Sequence, residues 1–251
     1  MKPFYDRGGI TVYCGDVHEA MRAIRLSEVG CVVADPPYGE PSLAWDTWPD
    51  NWPNVVGALV PMTAPLWCFG SMRMFVDKDE EFRHWRMAQD LVWEKHNGSN
   101  FHADRFRRVH EHAVQWYRGP WEDVWKTTLF TPDATARQVR RKQRPAHTGS
   151  IGASSYESED GGPRMMRSVL KVRSCHGRAV HPTQKPEGIV EPLLRYSAAP
   201  GKVVLDLFSG SGTTLVVAKS MGMRAVGIEA DPEWCEEIAK RLTQEIGWAV
   251  P

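Results

Sequence analysis

The chain has 251 residues, 42% hydrophobic and 25% charged, with a formal net charge of zero. This composition indicates a globular protein with one large domain, alone or with a small insert. No run approaches 18 apolar residues and the N-terminus lacks a signal-peptide core, so we expect neither a membrane span nor export. The five cysteines are scattered without a CxxC pair, which predicts reduced thiols, a cytoplasmic protein and no metal site.

The first half of the chain predicts alternating strands and helices. Residues 31–34 (CVVA) form an apolar run of strand length that ends at Asp35, as a buried parallel strand does. The predicted strands are 10–14, 31–34, 65–69, 91–93 and 112–117, and the predicted helices run from Asp16 to about 26 and over 55–60. A polar stretch, 96–110, separates the last two strands.

The pattern weakens between about 119 and 175, where residues 147–163 are rich in Gly and Ser. We interpret 119–180 as an insert. Regular structure resumes near 186, with predicted helices at 187–197, 213–221 and after the N-cap Asp231, and with predicted strands at 203–207 and 225–229. Alternating strands and helices predict an α/β fold with a mostly parallel twisted sheet and helices on both faces.

Polar residues follow several predicted strands at the point where each ends. In sheets of this kind, ligands bind outside the carboxyl ends of the strands. We therefore expect these residues to gather along one edge, although they are far apart in sequence: Asp16, Asp35, Ser71, the loop 208–212 and Glu229.

Residues 203–214 (VVLDLFSGSGTT) predict a strand, a tight turn and a helix. Gly210 and Gly212 allow the backbone to approach a ligand closely. Glu229 ends the next strand 19 residues after Gly210, where an acid can bind ribose hydroxyls. Alone, the turn could be purely structural, and Asp16 could be only a helix cap. Together they favour a nucleoside-containing cofactor, and the absent third Gly disfavours a pyrophosphate.

Residues 35–38 read Asp-Pro-Pro-Tyr, a string expected by chance in about one chain in a thousand of this length. It could be a Pro-rich turn, but it also suits methylation of an aromatic amino group. Such a nitrogen is a poor nucleophile, because its lone pair is delocalised into the ring. The Asp35 carboxylate and the Pro36 carbonyl can accept its two N–H bonds and free the lone pair. Pro36 and Pro37 fix φ, and Tyr38 can stack on the base.

Alignment of the nitrogen, methyl and leaving group would supply most of the catalysis. Well-oriented groups contribute roughly 7–11 kcal/mol in this way. No covalent enzyme intermediate is required. A target amino group inside a duplex must be flipped out of the stack, at a cost of a few kcal/mol.

With these motifs the chain resembles the beta group of amino-directed DNA methyltransferases, in which Asp-Pro-Pro-Tyr precedes the Gly-rich cofactor motif. The resemblance covers most of the chain. It implies a Rossmann-like methyltransferase fold with permuted motif order, S-adenosylmethionine as the cofactor without a metal, and double-stranded DNA as the partner. It assigns 1–118 to the catalytic part, 119–180 to a target-recognition insert and 181–251 to the cofactor-binding part.

The resemblance also implies roles for individual residues. The Gly-Asp at 15–16 would read the cofactor adenine, and His-Pro-Thr-Gln-Lys-Pro at 181–186 would lie near its methionine part. Residues 91–95 and 110–111 would flank the target-base pocket. The implied cofactor-binding residues are Asp16, His181, Thr183, Lys185, Phe208, Ser209, Gly210, Gly212, Thr213 and Glu229.

Charge is unevenly distributed. From Arg137 to Lys185 there are eleven Lys and Arg against three acids, a local charge of +8. An isolated run of this kind is usually a solvated surface. Because it lies in the implied recognition insert, we expect it to hold phosphates. The predicted DNA-binding residues are Arg108, Arg140, Arg141, Lys142 and Arg144.

Asp at position 35 favours adenine N6, since Ser there is commoner in the cytosine N4 members of the family. A cytosine N4 enzyme of the same fold remains the main alternative. An RNA or protein-amide methyltransferase would carry Asn at 35 and the cofactor motif first, and a nicotinamide enzyme would carry the third Gly. A DNA-binding module without activity would not need both motifs. The short insert leaves a homodimer open.

Overall fold

The computed structural model describes residues 1–39, 46–99, 104–141, 154–175 and 177–244. Two predicted DNA contacts, Lys142 and Arg144, lie outside these residues. The chain divides into two compact units, one formed by 1–127 with 168–251 and the other by 128–167.

Most strands of the described chain join one nine-stranded sheet, in the order β1-β2-β13-β12-β3-β4-β6-β5-β11. The strands are β1 (Tyr5–Arg7), β2 (Ile10–Cys14), β3 (Val29–Ala34), β4 (Leu66–Gly70), β5 (Arg86–Ser99), β6 (Arg108–Tyr117), β7 (Phe130–Thr131), β8 (Arg137–Arg141), β9 (Ser154–Ser158), β10 (Arg164–Met165), β11 (Val169–Lys171), β12 (Val203–Asp206) and β13 (Arg224–Glu229). The helices are α1 (Val17–Ala23), α2 (Trp52–Leu59), α3 (Met72–Asp77), α4 (Glu187–Ser197), α5 (Thr213–Ser220) and α6 (Pro232–Thr243).

Five neighbouring strands, β2, β13, β12, β3 and β4, run parallel. Strand β6 is antiparallel to β4 and to β5, and β11 is parallel to β5. The carboxyl ends of the five parallel strands therefore meet at one edge. The amino end of β6 lies at the same edge, because His112 of β6 pairs with Gly70, the last residue of β4.

Both faces of the sheet are covered by helices. In β3, Val32 belongs to the core that includes residues of α1, α2 and α3, whereas its neighbours Cys31 and Val33 belong to the core that includes residues of α4, α5 and α6. This alternation is the period of two that a strand imposes on its side chains. It confirms the predicted α/β fold with a mostly parallel sheet and helices on both faces.

The helices begin and end where local signals place them. Asp231 accepts a hydrogen bond from the Glu233 N–H at 2.9 Å and caps α6, as predicted. Ser71 caps α3 by accepting from the Met74 N–H at 3.1 Å. The sequence did not predict α3, a helix of six residues. Strands β5 and β6 continue well into the stretch 96–110 that we read as a polar connection.

The smaller unit, 128–167, contains two two-stranded antiparallel sheets, β7 with β10 and β8 with β9. The predicted insert, 119–180, contains this unit but is longer at both ends. Residues 168–180 include β11, which joins the large sheet beside β5, and so belong to the larger unit. The role of the insert in target recognition stays a prediction.

Candidate active site

The residues predicted to gather along one edge follow the five parallel strands at their carboxyl ends. Asp16 lies two residues after β2, Asp35 directly after β3 and Ser71 directly after β4. The Gly-rich turn follows β12. Backbone hydrogen bonds tie these ends together, since Gly15 N–H donates to the Glu229 carbonyl at 2.8 Å and Ser209 N–H donates to the Ile228 carbonyl at 2.9 Å.

Asp35 is held on both carboxylate oxygens. The Tyr38 hydroxyl donates to Oδ1 at 3.0 Å, and the Lys185 ammonium donates to Oδ2 at 2.6 Å. The Asp35 side chain is 23% exposed, whereas that of Lys185 is only 9% exposed. Pro36 is buried. The predicted catalytic segment is therefore a fixed, partly open carboxylate rather than a solvated turn.

Glu111, near the amino end of β6, extends this cluster. Its Oε1 lies 2.5 Å from the Tyr38 hydroxyl and 3.2 Å from Lys185 Nζ, and its Oε2 lies 2.6 Å from Lys95 Nζ on β5. Two carboxylates and two ammonium groups thus balance in charge around one tyrosine. We call Asp35, Tyr38, Lys95, Glu111 and Lys185 the carboxylate network.

Burial and pairing move the two carboxyl groups of the network in opposite directions. Burial raises the pKa of Asp35, and the ammonium of Lys185 opposes this only in part. Burial also disfavours ionised Glu111, but Lys185 and Lys95 outweigh it and lower the pKa of Glu111 to about 2. Burial would lower the pKa of Lys185, yet the two carboxylates raise it. Asp35 is the carboxyl group of the pair that can take up a proton.

Tyr38 stays protonated in this setting. Burial raises its pKa well above the usual value, and the charges of Asp35 and Glu111 raise it further. Its ring lies 5.9 Å from Lys185 Nζ, and the ring of Phe69 lies 5.1 Å from the same atom. Tyr38 is therefore a hydrogen-bond donor with one proton between two acceptors.

The Gly-rich turn after β12 is anchored by Glu229. The Gly210 N–H donates to Glu229 Oε2 at 2.7 Å, and the Asp231 N–H donates to Oε1 at 2.9 Å. Gly212 has φ +74°, and a Cβ there would lie 2.9 Å from Ile238, so the turn requires glycine. Each Glu229 oxygen keeps lone pairs for further donors such as ribose hydroxyls.

Aromatic rings lie near the turn. The His181 ring is 4.3 Å from the Trp234 ring, and its Cε1 is 3.7 Å from where a Gly210 Cβ would stand. Phe208 packs edge-on against Trp52 at 5.4 Å. Burial lowers the pKa of His181, and Lys185 lowers it further, so the ring is neutral near pH 7.

The donors and acceptors at the turn fit a nucleoside sulfonium cofactor. Ser209 Oγ is buried without a hydrogen-bond partner among the described residues. Carboxylate acceptors suit ribose hydroxyls and an amino group, and the rings of Phe208, His181 and Trp234 offer apolar surface. Asp16 also caps α1, since its Oδ1 accepts from His18 N–H at 2.9 Å and Glu19 N–H at 3.1 Å. The two interpretations of Asp16 are therefore compatible.

The remaining predicted cofactor residues lie in two loops. Thr183 hydroxyl and N–H both contact His181 Nδ1, at 3.1 and 3.2 Å, and Thr213 is buried at the start of α5. Lys185 bonds to Asp35 and Glu111. No described residue set forms a cluster of metal ligands, and no helix in the described ranges is long and apolar enough to cross a membrane.

The predicted DNA contacts do not join this cluster of charges. Arg108 is exposed where β6 begins, and Arg140 is exposed on β8, opposite Ser155 of β9. Arg141 ends β8. Conversely, the list of predicted site residues omitted Glu111 and Lys95. The signal that could have found them is an acid and a lysine on adjacent predicted strands that flank the implied base pocket.

Comparison with known proteins gives one consistent result. A family model described as DNA methylase, N6_N4_Mtase, matches residues 29–241. The chain is 26% identical to the type II methyltransferase M2.DpnII of Streptococcus pneumoniae, covering 97% of this chain and 93% of the relative. It is 23% identical to the type II methyltransferase M.HinfI of Haemophilus influenzae, over 93% and 68%.

Solved structures show the same fold. A complex of M1.HpyAVI with SAM superposes with a TM-score of 0.65 at 20% identity, covering 93% of this chain and 100% of that one. The PvuII DNA methyltransferase, described as cytosine-N4-specific, superposes with a TM-score of 0.68 at 15% identity, covering 98% and 90%.

Proposed function

The chain belongs to the N6/N4 DNA methylase family and is an S-adenosylmethionine-dependent DNA methyltransferase; within that family, we propose that its target is adenine N6 in duplex DNA. The observation that carries this proposal is the Asp35 carboxylate at the end of β3. It lies at the same sheet edge as the Gly-rich turn that Glu229 anchors.

The Asp-Pro-Pro-Tyr segment supplies the acceptors. Asp35 and the Pro36 carbonyl accept the two N–H bonds of the target amino group, which releases the nitrogen lone pair from the ring. The two prolines fix the backbone, so the acceptors keep their spacing. Tyr38 supports the flipped base by stacking.

The cofactor site holds the second reactant. S-adenosylmethionine supplies, when bound, an electrophilic methyl group whose bond to sulfur breaks as the amino nitrogen bonds to the methyl carbon. Glu229 binds the ribose hydroxyls and Asp16 reads the adenine, while Phe208 packs on the cofactor. Because the methyl group is already activated, the proposed reaction needs no metal, and EDTA should leave its rate unchanged.

One proton of the amino group must leave after transfer. Asp35 takes it, because its pKa is raised whereas that of Glu111 is lowered to about 2. Two carboxyl groups in one cluster, with pKa values moved apart, mark different roles.

Asp at position 35 supports adenine over cytosine, as the family resemblance indicates. Cytosine N4 is the second candidate, since the cytosine-N4-specific PvuII enzyme shares the fold at a TM-score of 0.68. Arg108, Arg140 and Arg141, together with Lys142 and Arg144, are proposed to hold phosphates in the duplex. Five unpaired cysteines support a cytoplasmic setting for this activity.

The test is methyl transfer from labelled S-adenosylmethionine to unmethylated genomic DNA, followed by mass spectrometry of the nucleosides. We expect N6-methyladenine. N4-methylcytosine instead would keep the mechanism and overturn the base assignment. A protein that binds the cofactor but labels no DNA would contradict the proposal.

A further inference from the structure

The Tyr38 hydroxyl has two acceptors but one proton. It lies 3.0 Å from Asp35 Oδ1 and 2.5 Å from Glu111 Oε1. A hydroxyl donates one strong hydrogen bond, and the shorter distance goes to Glu111. Because Asp35 must accept a hydrogen bond from the target base, it matters which of the two carboxylates holds this proton.

Lys185 is divided between the same two carboxylates. Its Nζ lies 2.6 Å from Asp35 Oδ2 and 3.2 Å from Glu111 Oε1. Glu111 is in turn paired with Lys95 at 2.6 Å, so its charge is balanced on the side that faces away from Asp35. Each donor that reaches Asp35 therefore also reaches Glu111.

We propose that Glu111 is a positioning residue that draws the Tyr38 hydroxyl and part of the Lys185 ammonium away from Asp35. Asp35 Oδ1 is thereby left available to the target amino group. The role of Asp35 in this inference rests on the proposed function. The charge relation between Asp35, Glu111 and Lys185 does not.

All groups that face Asp35 enter the test. These are Tyr38, Cys68, Glu111, Lys185 and Asp206. Cys68 stays a neutral thiol, because burial raises its pKa well above the usual value. The charge of Glu111 raises the pKa of Asp35, and Lys185 lowers it. If Glu111 loses its charge, Lys185 pairs with Asp35 alone, and the pKa of Asp35 must fall.

The direct measurement is a carbon-13 NMR titration of the Asp35 carboxyl in the whole chain, without DNA. In Glu111→Gln we expect the midpoint to fall by about one pH unit. In Tyr38→Phe we expect it to stay within roughly 0.3 unit, since the hydroxyl proton already belongs to Glu111. The conservative Tyr38→Phe change keeps the test usable if Glu111→Gln fails to fold.

Methylation rates give the second readout. Glu111→Gln should lower kcat about 10- to 100-fold with a nearly unchanged KM for DNA, because Tyr38 and Lys185 return to Asp35. The acid limb of its pH profile should move to lower pH, since ionised Asp35 is the active form. Glu28→Gln is the matched control. Glu28 pairs with Arg224 at 2.8 Å on the exposed surface near the start of β3, outside the site.

An unchanged Asp35 midpoint in Glu111→Gln would overturn the inference, as would a clear rise of the midpoint in Tyr38→Phe. If both titrations behave as expected but the wild-type protein methylates no DNA, the proposed function is wrong and the positioning role of Glu111 stands.

Discussion

Charged side chains are used differently in the two units of the chain. At the carboxyl edge of the sheet, Asp35, Glu111 and Lys185 are paired within 3.2 Å and largely buried. In the unit 128–167, Arg137 and Arg140 of β8 are exposed, and the residues opposite them on β9 are Ser158 and Ser155. Buried, paired charges fix the geometry of a reaction at short range. Exposed charges act on a polyanion at longer range, and salt screens them.

The largest expected effect comes from breaking the buried side of this comparison. Asp35→Ala should lower kcat by about 1,000-fold, because the target amino group loses its acceptor. Binding of S-adenosylmethionine should change by less than about threefold, since Lys185 keeps Glu111 as a partner. Calorimetry and steady-state methylation assays measure the two quantities. Retention of more than a tenth of the wild-type turnover would remove Asp35 from the mechanism.

The next effect separates cofactor binding from catalysis within the same edge. Glu229→Gln should weaken cofactor binding by about 10- to 100-fold, because charge-assisted hydrogen bonds to the ribose are lost. Titration calorimetry gives the dissociation constant, and Glu233→Gln, on the exposed first turn of α6, is the control. Equal affinities in wild type and Glu229→Gln would contradict the assigned role.

The exposed side of the comparison is tested by charge reversal on β8. Arg137→Glu with Arg140→Glu should weaken binding to duplex DNA about tenfold and reduce the salt dependence by roughly one unit of slope per lost phosphate contact. The value of kcat at saturating DNA should not change. Fluorescence anisotropy over a range of salt concentrations supplies the slope, and an unaltered slope would show that these arginines only face solvent.

The smallest effect concerns stability. Burial raises the pKa of Asp206 to about 7, from an ordinary value of 3.8. The folded chain therefore binds a proton that the unfolded chain has lost between these values, so this contribution is full below pH 4 and disappears as the pH rises through 7. Asp206→Asn should remove it. Its Tm should fall less than the wild-type Tm between pH 5 and pH 8, and parallel curves would rule this out.

Local sequence predicted the parts of the site that local structure builds. The turn 208–212 and the segment Asp35–Tyr38 each combine a strand end with glycine or proline, so their backbone form follows from a few neighbouring residues. The carboxyl-edge placement followed from the order of strands and helices alone.

Pairing between distant residues was harder to predict. Lys185 was assigned to the cofactor by its motif, whereas its hydrogen bonds go to Asp35 and Glu111, 150 and 74 positions earlier. That choice depends on the register of β6 beside β4, which tertiary packing decides. The extension of β5 and β6 beyond the predicted 91–93 and 112–117 has the same origin. Cross-strand pairing overrides a polar local sequence.

The division between buried chemistry and exposed binding is tested most directly by single-turnover methyl transfer at saturating DNA, in Asp35→Ala and in the double variant Arg137→Glu with Arg140→Glu. We expect a rate about 1,000-fold below wild type in the first and a wild-type rate in the second. Comparable rates in the two variants would contradict the division, because the buried carboxylate and the exposed arginines would then serve the same step.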